Sequence, residues 1–254
     1  MRAQNLPSIN ARYWCAIAVA SMAGANSGDF AARYLHLGHT GGLLPLALVF
    51  LAIVWAETRA RRATEAYYWL AIIVLRTAAT NLADLMTHDL RLGYPLTLAA
   101  LAAFIVAILI FVAQRDDVGR DGVAPESTDG RKLPVTDSTY WLAMLTAGTL
   151  GTAGGDFTAD ELGLGVGYGS LVLIAVFLIV LLGALRIGKM SLFWYWAAIV
   201  AARTAGTTMG DFLPSRHGLD LGLPVSTAIT LSTLALIVIL WRDTSARAAA
   251  RGTA

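Results

Sequence analysis

Residues 195–212 read YWAAIVAARTAGTTMGDF, and this stretch decides the fold because the chain contains it in four versions. The other versions occupy residues 13–30, 68–85 and 140–157. Each begins with Tyr-Trp and has an aspartate 15 residues after the tryptophan. The versions are 55 residues apart within each half of the chain, and equivalent versions in the two halves are 127 apart. Such a period is typical of an array of equivalent supersecondary units.

The composition indicates a membrane protein. Of the 254 residues, 57% are hydrophobic and 14% are charged. A disordered chain would have fewer apolar and more charged residues, and a soluble domain of this length could not bury so many apolar side chains. Eight apolar runs approach the ~20 residues that a membrane-spanning helix needs. They predict an all-α polytopic protein with spans at 12–30, 41–57, 66–85, 93–113, 138–158, 166–186, 192–212 and 222–241.

Each repeat contains two of these runs, so the chain returns to the same side after every repeat. The four two-helix repeats therefore point the same way and are parallel, not inverted. We predict a first half at residues 1–115, a flexible cytoplasmic linker at 116–137 and a second half at 138–254. The linker is rich in Asp, Gly and Pro. Paired small residues in the odd-numbered helices predict that these four form a central bundle with the even-numbered helices outside.

The basic residues predict the orientation. Fourteen of the 19 Lys and Arg residues lie in the termini or in the loops on the same side, and three lie in the opposite loops. The excess places both termini in the cytoplasm. All seven tryptophans map near the same side, which predicts half of an aromatic belt there.

Two arginines, Arg76 and Arg203, lie midway along predicted spans, where an ionised side chain costs several kcal/mol unless it is paired or hydrated. Arg76 precedes Asp84 by eight residues, which is ~12 Å of helix rise. We therefore predict pairing across helices, with Asp29 or Asp156 as partners. A static ion pair that only fixes helix packing is the alternative. The predicted gate consists of the two arginines with Thr77 and Thr204.

Four aspartates end the odd-numbered helices on the outer side: Asp29, Asp84, Asp156 and Asp211. A carboxylate at a helix C-terminus opposes the helix dipole, so capping does not explain them. Around a common axis they would form an acidic ring that attracts cations. The predicted ion-binding residues are these four and their polar neighbours Asn26, Asn81, Thr80, Thr152, Thr207 and Thr208.

All four histidines fall in or beside the outer loops, at His36, His39, His88 and His217. Imidazole together with carboxylate suits zinc, manganese, nickel or copper(II), which makes these residues a speculative metal site. Solvated loop histidines are the alternative, because the sequence contains no tight ligand cluster.

The sequence predicts no enzyme, because it contains no nucleophile elbow, phosphate loop, dinucleotide fingerprint or zinc-protease helix. We expect no catalytic residue and no resident cofactor; a divalent metal ion would be cargo. The net charge of +2 argues against a nucleic-acid partner. The lipid bilayer and a small ion or solute are the expected partners, and the oligomeric state stays open.

The chain resembles a family of bacterial integral membrane proteins with four tandem two-span repeats of unknown function, usually described as uncharacterised membrane-anchored proteins. The resemblance covers residues 12–242 and rests on the four Tyr-Trp pairs and on Gly-Asp-Phe at 28–30, 155–157 and 210–212. The second repeat departs with Ala-Asp-Leu at 83–85. The resemblance implies an eight-span protein of the bacterial cytoplasmic membrane and implies no activity.

From the residues we predict a transport or permeation protein for a cation, which could be a divalent metal. An anionic or zwitterionic solute held by the two arginines is a second transport hypothesis. A non-transporting scaffold or accessory subunit, in which the polar residues only pack helices, is the alternative from another class.

Overall fold

The computed structural model describes residue 7 and residues 9–60, 65–118, 136–186 and 191–240. Within these ranges the chain forms eight α-helices and no strand. The helices are α1 (Ala11–Asp29), α2 (Gly38–Arg59), α3 (Glu65–Asp84), α4 (Gly93–Val118), α5 (Ser138–Asp156), α6 (Gly165–Arg186), α7 (Leu192–Phe212) and α8 (Leu223–Leu240).

The predicted spans agree with these helices to within three residues at every end but one. The exception is α4, which continues to Val118 and so enters the predicted linker; residues 119–135 of that linker lie outside the described residues. Five helices are long and apolar enough to cross a membrane: α2, α3, α4, α6 and α8. Crossing by α1, α5 and α7 stays a prediction, because glycine and polar residues reduce their hydropathy.

Side-chain caps set the start of three central helices. Asn10 and Asp137 accept hydrogen bonds from the backbone N–H of Tyr13 (3.1 Å) and Tyr140 (2.9 Å), and Ser191 does the same for Trp194 in α7. Each cap satisfies an N–H group that has no partner within its own helix. The caps of α1 and α5 therefore place their tyrosines at the same level.

The repeats share one turn where the odd-numbered helices end, on the side opposite the termini. Three odd-numbered helices continue as a five-residue π-helical turn, at Phe30–Tyr34, Leu85–Asp89 and Phe157–Glu161. The fourth repeat has two more residues at this point and forms irregular turns instead. Every even-numbered helix follows or begins with a glycine whose φ is between 64° and 74°, at Gly38, Gly93, Gly165 and Gly222. The left-handed conformation favours glycine at this position.

The predicted central bundle is present. The odd-numbered helices form a closed ring in the order α1, α3, α5, α7, and α7 also packs against α1. Each even-numbered helix packs chiefly against the odd-numbered helix of the next repeat, and α8 packs against α1. Only 11–22% of the apolar segments of the even-numbered helices is buried, against 56% for α3. The first and last repeats therefore join one continuous ring, and the even-numbered helices lie on its outside.

Small residues bring the central helices together, as predicted. A methyl group added to Gly24 would lie 2.3 Å from Cβ of Arg76, and one added to Gly206 would lie 2.3 Å from Cβ of Ser21. Gly151 contacts Arg203 in the same way. Each of these glycines meets the next helix of the ring at an equivalent position, so glycine sets the distance between neighbouring central helices.

The predicted aromatic belt is wrong for four of the seven tryptophans. Trp14, Trp69, Trp141 and Trp196 are 3–7% exposed and belong to the core. Each packs on the tyrosine of another repeat, with ring centroids 5.6–6.1 Å apart. The tryptophans are buried because the even-numbered helices cover the spaces between the central ones.

Candidate functional site

The candidate site is the axis of the central ring. In α1 the positions that face this axis are four residues apart: Tyr13, Ile17, Ser21, Ala25 and Asp29. Such spacing keeps side chains on one face of a helix. Together with the equivalent residues of the other repeats, these positions form five layers along the axis. The first layer consists of the four tyrosines and the last of the four aspartates. Between them lie an apolar layer (Ile17, Ile72, Met144, Ile199), an arginine layer (Ser21, Arg76, Gly148, Arg203) and a threonine layer (Ala25, Thr80, Thr152, Thr207).

The four tyrosines close the axis at the end that carries the termini. Their hydroxyl groups form a cyclic set of hydrogen bonds, which we call the tyrosine ring. Tyr13 bonds Tyr68 at 3.0 Å and Tyr195 at 2.6 Å, and Tyr140 bonds the same two at 2.8 and 2.9 Å. Each hydroxyl can donate one bond and accept one, so all four are satisfied without water. The sequence analysis did not assign these residues.

Arg203 crosses the axis and contacts all three other central helices. Its Nη1 donates to the Ser21 carbonyl oxygen at 2.5 Å. Its Nη2 donates to the Thr80 hydroxyl at 2.5 Å, the Thr152 hydroxyl at 2.8 Å and the Arg76 carbonyl oxygen at 3.1 Å. Hydrogen bonds from a charged donor contribute ~1.5–3 kcal/mol each. These bonds offset part of the cost of burying the charge.

Arg76 lies on the opposite side of the ring and has few partners. The residue is 0% exposed, and its Nη2 donates a hydrogen bond to the sulfur of Met144 at 3.8 Å. Within the described part of the chain, its Nε and Nη1 have no hydrogen-bond partner. Its charge interacts with all four tyrosines. The guanidinium of Arg76 therefore lies toward the tyrosine ring, whereas that of Arg203 lies toward the threonine layer.

The predicted pairing of the arginines with Asp29 or Asp156 is wrong. Among the described residues, the ion pairs involve other groups, and no carboxylate lies at ion-pair distance from Arg76 or Arg203. The reason is the equivalence of the repeats. Every aspartate is eight residues beyond the arginine layer, so a partner on another helix is about as far along the axis as one on the same helix. Backbone carbonyls and threonine hydroxyls lie at the right level instead.

The polar side chains predicted near the arginines divide into two groups. Thr80 and Thr152 bond Arg203 on the axis, and Thr207 occupies the equivalent position; its hydroxyl has no partner among the described residues. Thr77 and Thr204 donate to carbonyl oxygens of their own helices, four residues earlier. Among the described residues, neither hydroxyl is hydrogen-bonded to a guanidinium as the predicted gate would require.

The asparagine position does not face the axis. A methyl group added to Gly42 would lie 2.8 Å from Nδ2 of Asn81, which places this amide against α2. Asn26 is the equivalent residue of α1, and both amides are buried with no hydrogen-bond partner in the described ranges. Thr208 has the same position in α7, where its methyl group is near Gly169 of α6 and its hydroxyl bonds the Ala205 carbonyl.

The four aspartates come together at the end of the axis opposite the tyrosine ring, as predicted. The carboxylate of Asp156 interacts electrostatically with the other three carboxylates. The carboxylate of Asp211 also interacts with those of Asp29 and Asp84. Arg33 lies 3.5 Å from Asp29 and His39 lies 3.7 Å from Asp84. We call these four carboxylates the acidic ring. A ring of this kind raises the local concentration of cations.

The histidines do not form one group. His39 bonds Asp89 through Nδ1 at 3.1 Å. His88 bonds its neighbour Thr87, while His36 and His217 are exposed. In the part of the chain that the structure describes, no three His, Cys, Asp or Glu side chains are arranged to hold a metal ion. Of the four predicted metal residues, the structure brings only His39 to a carboxylate of the acidic ring.

Comparison with protein families gives one finding. A family model described as "Repeat of Unknown Function (DUF347)" matches residues 12–63, 67–115, 139–189 and 194–246. These four matches coincide with the four repeats. No curated protein and no solved structure is significantly similar to the chain.

Proposed function

Because the chain belongs to the DUF347 repeat family, which carries no assigned activity, we propose a function from the axis itself: transport of a small cation across the bacterial cytoplasmic membrane. All eight helices would span that membrane, with the termini in the cytoplasm. The proposal includes no catalytic residue, resident cofactor or nucleic-acid partner. A divalent metal ion would be the cargo.

The acidic ring is the observation that carries this proposal. Four carboxylates meet at one end of the axis and interact with one another, although like charges repel and none of the four caps a helix N-terminus. Only one of them, Asp29, has an arginine at ion-pair distance within the described ranges. A cation between the carboxylates would relieve this repulsion, so the acidic ring supports cation capture from the outer side.

The axis beyond the acidic ring is closed. Arg203 occupies the centre, and the apolar layer and the tyrosine ring fill the remainder. A cation that reaches the acidic ring would therefore stop there. Transport requires a second arrangement, in which Arg203 moves aside and the tyrosine ring opens while the acidic ring closes. Two duplicated halves around a central polar site are suited to this alternation.

Uptake by the purified protein in liposomes tests the proposal. We expect saturable uptake of Mn²⁺ or Zn²⁺ from a panel of mono- and divalent cations. Asp156→Asn or Asp211→Asn would reduce it on the order of tenfold, which corresponds to ~1.4 kcal/mol of binding free energy. Asp220→Asn is the matched control, because Asp220 is an exposed outer residue with positive φ that asparagine accepts well. Equal uptake by all three variants would refute a role for the acidic ring.

A scaffold role is the second candidate, and the hydrogen bonds of Arg203 to three helices favour it. The two candidates differ in whether cargo reaches the axis. Cys15 is the only cysteine, so Thr207→Cys in a Cys15→Ala background offers one thiol on the axis. Transport predicts that a small cationic thiol reagent added outside labels this thiol and that cargo slows the labelling. A scaffold predicts no labelling.

A further inference from the structure

The guanidinium of Arg76 has hydrogen-bonding capacity that the protein leaves unused. Nε and Nη1 are buried and without an acceptor in the described part of the chain, and the one partner of Nη2 is a thioether sulfur, a weak acceptor. A buried charged donor without an acceptor is strongly unfavourable. Arg203 differs, because its guanidinium donates hydrogen bonds to five other residues.

The charge of Arg76 is also unbalanced. Arg203 adds a second positive charge that interacts with it directly. Neither arginine has a carboxylate at ion-pair distance among the described residues. The tyrosine hydroxyls are neutral and bond one another. Two positive charges therefore lie on a buried axis, and the nearest negative groups are in the acidic ring beyond the threonine layer.

We propose that a small monovalent inorganic anion of the halide class binds beside Arg76, where Nη1 donates to it between the tyrosine ring and Arg203. A halide ion accepts hydrogen bonds from N–H groups. Because it is spherical, it can accept them from any direction. The central helices are closely packed at this level, because a methyl group added to Gly24 would lie 2.3 Å from Cβ of Arg76 and one added to Gly148 would lie 2.9 Å from Cβ of Ala79. A single-atom anion is therefore the class that we test.

This site is independent of the proposed cation transport. The anion would lower the positive potential on the axis whether or not a cation crosses it. Its test measures binding, not flux, so the two proposals can fail separately.

Crystals of the wild-type protein grown in bromide provide the direct test. We expect one anomalous difference peak on the axis within hydrogen-bonding distance of Arg76. Density without anomalous signal at this place would identify a water molecule and would overturn the proposal. Bromide found only at the surface would overturn it too.

Thermal unfolding in detergent provides a test in solution. Chloride or bromide is exchanged against gluconate at constant sodium concentration and ionic strength. At a hundredfold excess over Kd, a bound halide should raise Tm by about 5–10 °C. Arg76→Gln should abolish this rise, whereas Arg33→Gln, at an arginine that is 68% exposed, should retain it. If Arg76→Gln fails to fold, Arg76→Lys replaces it, and we expect at most half of the rise because lysine lacks the planar guanidinium and its fixed N–H donors. An equal rise in wild type and variants would refute the site.

Discussion

The tyrosine ring makes a quantitative prediction about pairs of substitutions. Each hydroxyl takes part in two of the four hydrogen bonds, whose lengths are 2.6–3.0 Å. A single Tyr→Phe substitution removes two of these bonds and adds no steric conflict, since the aromatic ring stays. At ~1 kcal/mol per bond, any of the four single variants should lose about 2 kcal/mol of unfolding free energy.

Double variants distinguish a closed ring from four separate contacts. Neighbours such as Tyr13 and Tyr68 share one bond, so their double variant loses three bonds, or about 3 kcal/mol. Tyr13 and Tyr140 lie diagonally and share none, so their double variant loses all four, or about 4 kcal/mol. The coupling energy is therefore about 1 kcal/mol for neighbours and zero for diagonal pairs.

Unfolding in mixed micelles, followed by tryptophan fluorescence as the denaturing detergent is increased, measures these free energies. Tryptophans pack directly on the tyrosines, so the signal reports on the ring itself. Tyr168→Phe is the control, because Tyr168 is 75% exposed and its change should stay within ~0.5 kcal/mol. The reasoning is refuted if the diagonal pair couples as strongly as the neighbours, or if the single variants are indistinguishable from the control.

Two further substitutions test the packing of the central ring in the same unfolding assay. Gly206→Ala places a methyl group 2.3 Å from Cβ of Ser21 and should cost about 1–3 kcal/mol of unfolding free energy. The control Gly41→Ala, whose methyl group meets nothing nearer than 3.9 Å, should cost nothing, and equal effects would contradict the close approach. Arg203→Met leaves buried carbonyl and hydroxyl groups of three helices without their donor and should cost at least ~3 kcal/mol. The control Arg59→Met at an exposed helix end should cost less than ~1 kcal/mol, and a stable Arg203 variant would mean that its bonds do not hold the ring together.

The sequence predicted the helices well because two independent signals coincided. The apolar runs predicted where each helix begins and ends. The four-fold internal repeat predicted the same number of helices independently of hydropathy. The central position of the odd-numbered helices followed from glycines such as Gly24 and Gly206, because small residues in a fixed register indicate close helix packing. The acidic ring followed in turn, since equivalent residues of parallel repeats around one axis must lie at the same level.

The partners of the arginines could not be predicted in the same way. Position along the helix separates Arg76 and Arg203 from every aspartate, and the sequence does not show which backbone carbonyls the neighbouring glycines leave accessible. Asn81 illustrates a related limit. Its spacing from Asp84 predicts a shared face, but three residues rotate a helix by less than a full turn, which is enough to direct the amide toward α2.

The tyrosines were missed because Tyr-Trp pairs near a membrane surface usually indicate an interfacial aromatic belt. A signal for them was present. Tyr13 precedes Asp29 by 16 residues, and the other three repeats have the same separation. Sixteen residues are four steps of four, so tyrosine and aspartate lie close to one helix face. A residue that shares a face with the acidic ring in all four repeats belongs on the axis, not at the lipid surface.

The arginine layer is where the four-fold pattern of the axis breaks most strongly in size and charge, and this break locates the specialised part of the molecule. The tyrosine and acidic layers repeat one residue four times, and the apolar and threonine layers come close to doing so. In the arginine layer, two large charged residues alternate with Ser21 and Gly148, and the arginines occupy opposite corners of the ring. Four arginines at one level would overfill the axis and place four like charges in contact.

The two arginines are not equivalent either. Arg203 turns toward the threonine layer, and each of its three guanidinium nitrogens donates a hydrogen bond. Arg76 turns toward the tyrosine ring, and its Nε and Nη1 have no hydrogen-bond partner among the described residues. Packing alone would be served by two equivalent residues, since the surrounding glycines repeat. The two arginines therefore differ in role. Arg203 joins the four central helices through its hydrogen bonds, and Arg76 presents a positive charge to which the proposed anion can bind.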